Sequence, residues 1–170
     1  FNLKAKPALI IFDPENTLLA IKHFDKKDED YLVQLKHASS FEHRFIAFQK
    51  LIKSTSFKAE AIDLALGDRV WVTRKLALEQ LDDTALLSGV YEMAKNDPHS
   101  EVRSAALSAL IRMDDKNSVD LAEHIIKNDK SYNVISAAID YLSFTNSPRS
   151  AEIAASLENS ESDRLLLSVG

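Results

Sequence analysis

Along most of this chain the apolar positions fall at helical spacing, inside segments that themselves return about every thirty residues. Four segments carry the pattern: His37–Leu51, Gly67–Leu81, Asn96–Leu110 and Asn128–Leu142. Aligned on their final leucines, they have alanine four residues back (Ala47, Ala77, Ala106, Ala138) and a large apolar residue three back (Phe48, Leu78, Leu107, Ile139). Seven back stand Arg44, Arg74 and Arg103, with Ile135 as the exception. The anchor leucines lie 30, 29 and 32 residues apart, room for two helices and two turns and too long for a coiled-coil heptad. The pattern predicts an all-α superhelix, a right-handed solenoid of helix pairs.

The first helix of each repeat is expected at 29–38, 57–66, 84–96, 119–128 and 148–158, and the second at 41–53, 70–81, 101–113 and 132–144, with a fifth begun at Ser160. In the third repeat Val102, Ala106 and Leu110 form one stripe, with Ala105, Ala109 and Met113 beside it, a face wide enough to pack between two neighbouring repeats. The small alanine lets a partner helix approach closely. Thr84 and Ser118 are expected N-caps, Pro148 suits a first helical turn, and Ser100 precedes an acidic residue at a helix start.

The N-terminal part lacks this period. Ala8–Phe12 and Thr17–Ile21 are apolar runs separated by Asp13-Pro14-Glu15-Asn16, which predicts a β-hairpin. A lone hairpin is marginal in water, so the hairpin expected within residues 1–24 wants a sheet to join, and this chain does not obviously supply one. The charged stretch Asp25–Asp30 is a solvated junction, and residues 29–170 form the helical repeat domain, expected to be truncated in its fifth repeat.

Composition narrows the function. Three glycines and no glycine-rich loop argue against a phosphate cradle, and the absence of cysteine removes disulfides, thiolate nucleophiles and thiolate metal sites. It also leaves the compartment unreadable. A net charge of −5 with scattered basic residues speaks against nucleic acid as a partner. No apolar stretch reaches the roughly twenty residues that span a bilayer.

The unit Asp97-Pro98-His99-Ser100-Glu101-Val102-Arg103-Ser104-Ala105-Ala106-Leu107-Ser108-Ala109-Leu110 resembles a HEAT or HEAT-like repeat. A second piece, Phe12-Asp13-Pro14-Glu15-Asn16-Thr17-Leu18-Leu19 followed by a charged joint, Tyr31–Ala38 and an arginine-and-alanine helix, resembles the junction in bacterial M1-family zinc aminopeptidases. There a small β-sandwich domain hands over to a C-terminal HEAT-like domain. The M1 motifs, Gly-x-Met-Glu-Asn and His-Glu-x-x-His with a distant glutamate, are absent from this chain, so no active-site residue carries over. The resemblance implies the non-catalytic tail of a zinc aminopeptidase, a hydrolase whose metal sits in another part of the parent. It would enclose the substrate chamber and pack on the catalytic and β-sandwich domains, with peptide substrate as a further partner. The alternative is a HEAT-repeat protein-binding scaffold or adaptor with no peptidase activity.

The sharpest candidates are charged. Asp68 precedes Arg74 by six residues and Asp97 precedes Arg103 by six, so each turn carboxylate can reach its own or a neighbouring helix's guanidinium. With Arg44 and Arg164 in the same column, the set reads as a structural ladder locking one repeat to the next. The competing reading puts the arginines on a concave face, holding a peptide carboxylate. His23, His37, His43, His99 and His124 include no i, i+4 pair, so they read as solvent-facing or local hydrogen-bonding groups and not as metal ligands. Asp82-Asp83 and Asp114-Asp115 follow apolar helix ends and read as solvated turns. Trp71, with Phe41 and Tyr132 at the equivalent position, reads as packing against the preceding turn. No catalytic constellation is visible.

Overall fold

The computed structural model describes residues 5, 7–15, 17, 26–82, 84–148 and 150–157. Among them every regular element is helical: α1 (Asp28–His37), α2 (Phe41–Leu51), α3 (Lys58–Leu66), α4 (Trp71–Gln80), a 3-10 turn (Thr84–Leu86), α5 (Leu87–Asn96), α6 (Ser100–Arg112), α7 (Val119–Asn128), α8 (Tyr132–Phe144) and α9 (Ser150–Leu157). The fold class is therefore all-α, built from helix pairs. The turns inside three pairs are residues 38–40, 97–99 and 129–131, and connections this short make their helices antiparallel neighbours.

The chain divides into two compact units, Phe1–Thr73 and Arg74–Gly170. In the first, α1 packs on α2, and both touch α3. In the second, α6 packs against α5 and α8, and α8 packs in turn on α7 and α9. The repeating columns are the core of each. Ala47, Ala77, Ala106 and Ala138 are wholly buried, as are Phe48, Leu78 and Leu107 and the anchors Leu51 and Leu142, with Leu81, Leu110 and Ile139 nearly so. A methyl at the alanine position is all that the helix crossing leaves room for, which fixes the spacing of the layers.

Helix roles differ by neighbour count. α7 buries Leu121, Ala122, Glu123 and Ile125 and leaves His124 and Lys127 in solvent. α8 is covered on most sides, burying Val134 through Ile139 with Tyr141 and Leu142. That is the wide face expected for second helices sandwiched between layers.

Three expectations change. The 8–12 run is not a strand; the chain turns at Asp13, whose backbone is left-handed (φ 50°) and whose carboxylate accepts from the Thr17 N–H and hydroxyl, each at 2.9 Å. The turn thus stands where the sequence put it, without a ladder on its described arm, and the rest of the second arm lies outside the described residues. Thr84 starts a 3-10 turn, and α5 begins at Leu87 after an N-cap, Leu86, that offers no side-chain bond. At α6 the cap is His99, whose Nδ1 accepts from the Glu101 N–H, so Ser100 lies inside the helix.

Candidate functional site

The arginine column forms bidentate ion pairs, and each reaches one repeat forward. Arg44 Nε and Nη2 meet Asp68 Oδ2 and Oδ1 at 2.7 and 3.1 Å. Arg74 meets Asp97 with both bonds at 2.8 Å, and Arg103 meets Asp129 at 2.7 and 2.8 Å. The guanidinium fork matches the two carboxylate oxygens, a geometry that lysine could not reproduce. The first unit holds the Arg44 rung and the second holds the other two.

Each guanidinium or turn is further tied by backbone bonds. Arg103 Nη1 donates to Asp97 O at 2.9 Å in its own turn, and Arg44 Nη1 donates to Ala38 O and Ser39 O at 3.2 and 2.8 Å. Each aspartate also accepts a backbone N–H two residues on: Val70 on Asp68, His99 on Asp97 and Ser131 on Asp129, at 2.7, 2.9 and 2.9 Å. The carboxylate therefore closes its own turn and receives the arginine of the preceding repeat. Burial pushes Asp68 and Asp129 up, but the hydrogen bonds from Arg44 and Arg103, helped by the turn N–H groups, outweigh it and hold both below the usual aspartate range. The Asp68 bond in turn raises the Arg44 guanidinium.

The expected ladder residues Arg44, Asp68, Arg74, Asp97 and Arg103 are all in rungs, and within the second unit the ion-pair partner of Asp97 is Arg74 while Arg103 reaches on to Asp129. Asp129 is the rung residue that sequence reasoning missed. Its signal was available: Arg44 has Ala38 six residues before it, and Asp129 has Ile135 six residues after it. Only pairing between repeats gives all three arginines and all three aspartates a rung partner. Arg164 lies outside the described residues.

A second polar row runs beside the rungs of the second unit. Lys75 Nζ pairs with Glu101 Oε2 at 2.8 Å, and Asn133 Nδ2 donates to Glu101 Oε1 at 2.8 Å. Arg112 donates to Leu78 O near the end of α4, where a cation meets the negative end of the helix dipole.

Asp114-Asp115 is only half a solvated turn. Asp114 is exposed beside Lys116. Asp115 is buried, with Oδ2 taking the Ser118 hydroxyl at 2.6 Å and the Tyr141 hydroxyl at 3.0 Å, while the Ser118 N–H donates to that tyrosine oxygen at 3.0 Å. Ser118 is the N-cap of α7, yet its side chain serves Asp115 and not the helix. Burial pushes the Tyr141 phenol up to about 12. Asp82 is exposed, and Asp83 lies outside the described residues.

The histidines scatter. His37 and His124 are exposed, His99 caps α6, His43 is buried, and His23 lies outside the described residues. Among the described residues no three histidines or acids come together as a metal-holding group. Of the aromatic column, Phe41 and Trp71 are half-buried, with Phe41 against Phe45 at 5.4 Å between ring centroids, whereas Tyr132 is more than half exposed. The packing role assigned to that position does not extend to Tyr132. No helix among the described residues is long and apolar enough to cross a membrane.

Helix pairs stacked through forward-reaching Arg–Asp rungs define a helical repeat protein, in which the recurring chemistry of the repeat goes into holding its own layers. The family model for HEAT repeats matches residues 87–169, the stretch from α5 onward, and this part of the chain is similar to a HEAT repeat domain. No curated protein and no solved structure matches the chain.

Proposed function

We propose that the chain works as a rigid contact scaffold, a helical repeat domain whose task is to hold a surface in shape. The observation that carries this is the set of rungs. All three guanidiniums are spent on carboxylates of the same chain and are largely buried, so the most regular charged feature of the sequence stabilises the stack and is not presented to a ligand.

A finer reading is favoured by the N-terminal segment. Lys26 Nζ donates to Ile10 O at 3.1 Å and also to Gln34 Oε1 on α1, and Gln34 Nε2 donates to His43 O on α2 at 2.7 Å. The backbone at Ile10 is thereby tied through Lys26 and Gln34 to the first helix pair, which suits a handover between two domains. With the resemblance to the M1 junction, this supports a scaffold that is the C-terminal domain of a zinc aminopeptidase, forming a wall of its chamber. The zinc and the hydrolytic groups would lie in the rest of the parent.

The test is to assay the full-length parent and this chain side by side on aminoacyl-nitroanilides, with and without a zinc chelator. Chelator-sensitive release by the parent alone is the result expected from the finer reading. A parent inactive in every condition overturns that reading and leaves the protein-binding adaptor. Release by this chain alone overturns the scaffold reading itself.

A further inference from the structure

One pocket in the second unit takes no part in the rungs. It is an open depression of about 320 Å3 between α5, the end of α6 and the start of α7. The rungs of this unit sit at the turns inside the helix pairs, and the pocket sits at the turn between pairs. Leu87, Tyr91 and Leu110 give it an apolar wall, and Glu92, Asp115 and Ser118 a polar one. Its volume is at the lower end of the range for ligand sites, enough for one long side chain. The lining contains two carboxylates and no basic residue.

The inner carboxylate is fixed and still has capacity. Asp115 Oδ2 receives the Ser118 hydroxyl and shares the single Tyr141 hydroxyl proton with the Asp115 backbone carbonyl, at 3.0 and 2.9 Å, while Oδ1 receives the Asn117 N–H at 3.2 Å. An ionised carboxylate offers about four acceptor positions. Burial pushes Asp115 up, yet the bonds from Ser118, Asn117 and Tyr141 prevail and hold it below the usual aspartate range, so it carries its charge at neutral pH. At the rim, Glu92 is exposed, and its Oε2 takes the Asn96 amide at 2.8 Å.

We propose that this pocket receives a lysine side chain presented by a partner polypeptide, its methylene stem along Leu87, Tyr91 and Leu110 and its ammonium between Asp115 and Glu92. Charge complementarity selects a cation over an anion, and the apolar wall selects a long stem over a bare ion. Lysine is favoured over arginine because a guanidinium binds best across both oxygens of one carboxylate, and both oxygens of Asp115 are already engaged, Oδ2 by the Ser118 hydroxyl and part of the Tyr141 proton and Oδ1 by the Asn117 N–H. An ammonium, by contrast, can draw one oxygen from each of two carboxylates. A purely apolar occupant would bury Asp115 further with nothing to offset its desolvation. This inference rests on the pocket and stands for either parent.

The experiment is a titration of the isotope-labelled chain with Nα-acetyl-lysine amide, followed by amide shifts, with Nα-acetyl-norleucine amide as the probe that keeps the stem and lacks the ammonium. Expected are shifts confined to residues 87–92 and 115–118, and binding of the norleucine probe weaker by about tenfold. Glu92→Gln, on an exposed side chain, should weaken the lysine probe about threefold with the rest of the spectrum unchanged. Asp115→Asn should weaken it about tenfold. Equal binding of the two probes, shifts that avoid the lining, no shift at all, or indifference to Glu92→Gln would each overturn the proposal.

Discussion

The two compact units obey one register and differ at one position of it, the residue just before the arginine column. In the first unit that position is His43 and Thr73, and in the second it is Val102 and Val134. All four side chains are buried, but His43 Nδ1 and Thr73 Oγ1 have no hydrogen-bond partner among the described residues, while the two valines are wholly enclosed. The first unit also has the deepest rung: side-chain exposure is 8% and 4% for Arg44 and Asp68 against 17% and 10% for Arg103 and Asp129. A repeat position can therefore keep its geometry while its chemistry drifts. The rungs and alanines fix where the helices lie, and the quality of the core around them varies between units.

The largest test of this contrast removes a guanidinium from each unit. Arg44→Met leaves Asp68 buried without its ion-pair partner and is expected to cost about 3–5 kcal/mol. Arg103→Met, at the wetter rung, should cost about 1–3 kcal/mol. Urea unfolding of both variants checks the order, and equal small losses would show that the deeper rung does not hold the first unit. The rungs also set the acid limit. Because Asp68 and Asp129 titrate below ordinary aspartate in the folded protein, the unfolded chain takes up protons first as the pH falls. The stability they contribute is present above about pH 4 and is lost as the pH drops through their folded values. Melting midpoints measured from pH 6 down to pH 2 should fall in that window, and Arg44→Met should flatten the fall.

The Tyr141 network is a polar core in the second unit that does find its partners. Tyr141→Phe would remove the hydroxyl that bridges Asp115 and the Ser118 N–H and is expected to cost about 1–3 kcal/mol. On the alkaline side the phenol stays protonated in the fold up to about pH 12, whereas in the unfolded chain it ionises near pH 10. Its contribution is thus complete below pH 10 and is lost between these limits. Wild type should lose stability there by about 2 kcal/mol more than Tyr141→Phe, read from unfolding curves at pH 9 and pH 11.5.

A smaller pair of changes exchanges the two chemistries directly. Thr73→Val removes a buried hydroxyl without a partner at nearly constant shape and should stabilise by about 1 kcal/mol. Val102→Thr introduces one in the second unit and should cost about as much. If Thr73→Val instead destabilises, its hydroxyl serves the fold and the contrast between the units fails at that position.

Most of this architecture was legible because burial repeats. Ala47, Ala77, Ala106 and Ala138 could be placed in the core by register alone, and the bounds of α7 and α8 follow from the same count. The direction of the rungs was half legible. The six-residue spacing of Asp68 and Arg74 left each carboxylate able to reach its own or a neighbouring helix's guanidinium, whereas the ends of the column, Ala38 and Ile135, pointed outward to the next repeat. Asp115 was hidden because a doublet of aspartates after an apolar helix looks the same whether one or both reach water. What separates them is Tyr141, 26 residues away, a distance over which local pattern carries no information. His99 was hidden for a related reason: an imidazole caps α6 where the neighbouring serine had the stronger propensity.

The finest contrast concerns backbone freedom in the second unit, where the glycine and the strained positions are in the wrong places. Gly89 is the third residue of α5, without a left-handed backbone, and a methyl added there would meet nothing within 4 Å. Asp114, just past the end of α6, holds a left-handed backbone at φ 53°, a conformation that glycine adopts without a Cβ penalty. Gly89→Ala should stabilise by about 0.5–1 kcal/mol by restricting the unfolded chain. Asp114→Gly should gain less, because relief of strain is set against the greater freedom of an unfolded glycine and the loss of an exposed Lys116 pair worth little. Thermal unfolding of the two single variants and the double variant decides it. Gly89 is not part of the pocket lining, so Gly89→Ala should also leave binding of the lysine probe unchanged. A loss of binding in that variant would mean that the helix must bend at Gly89 to admit its ligand.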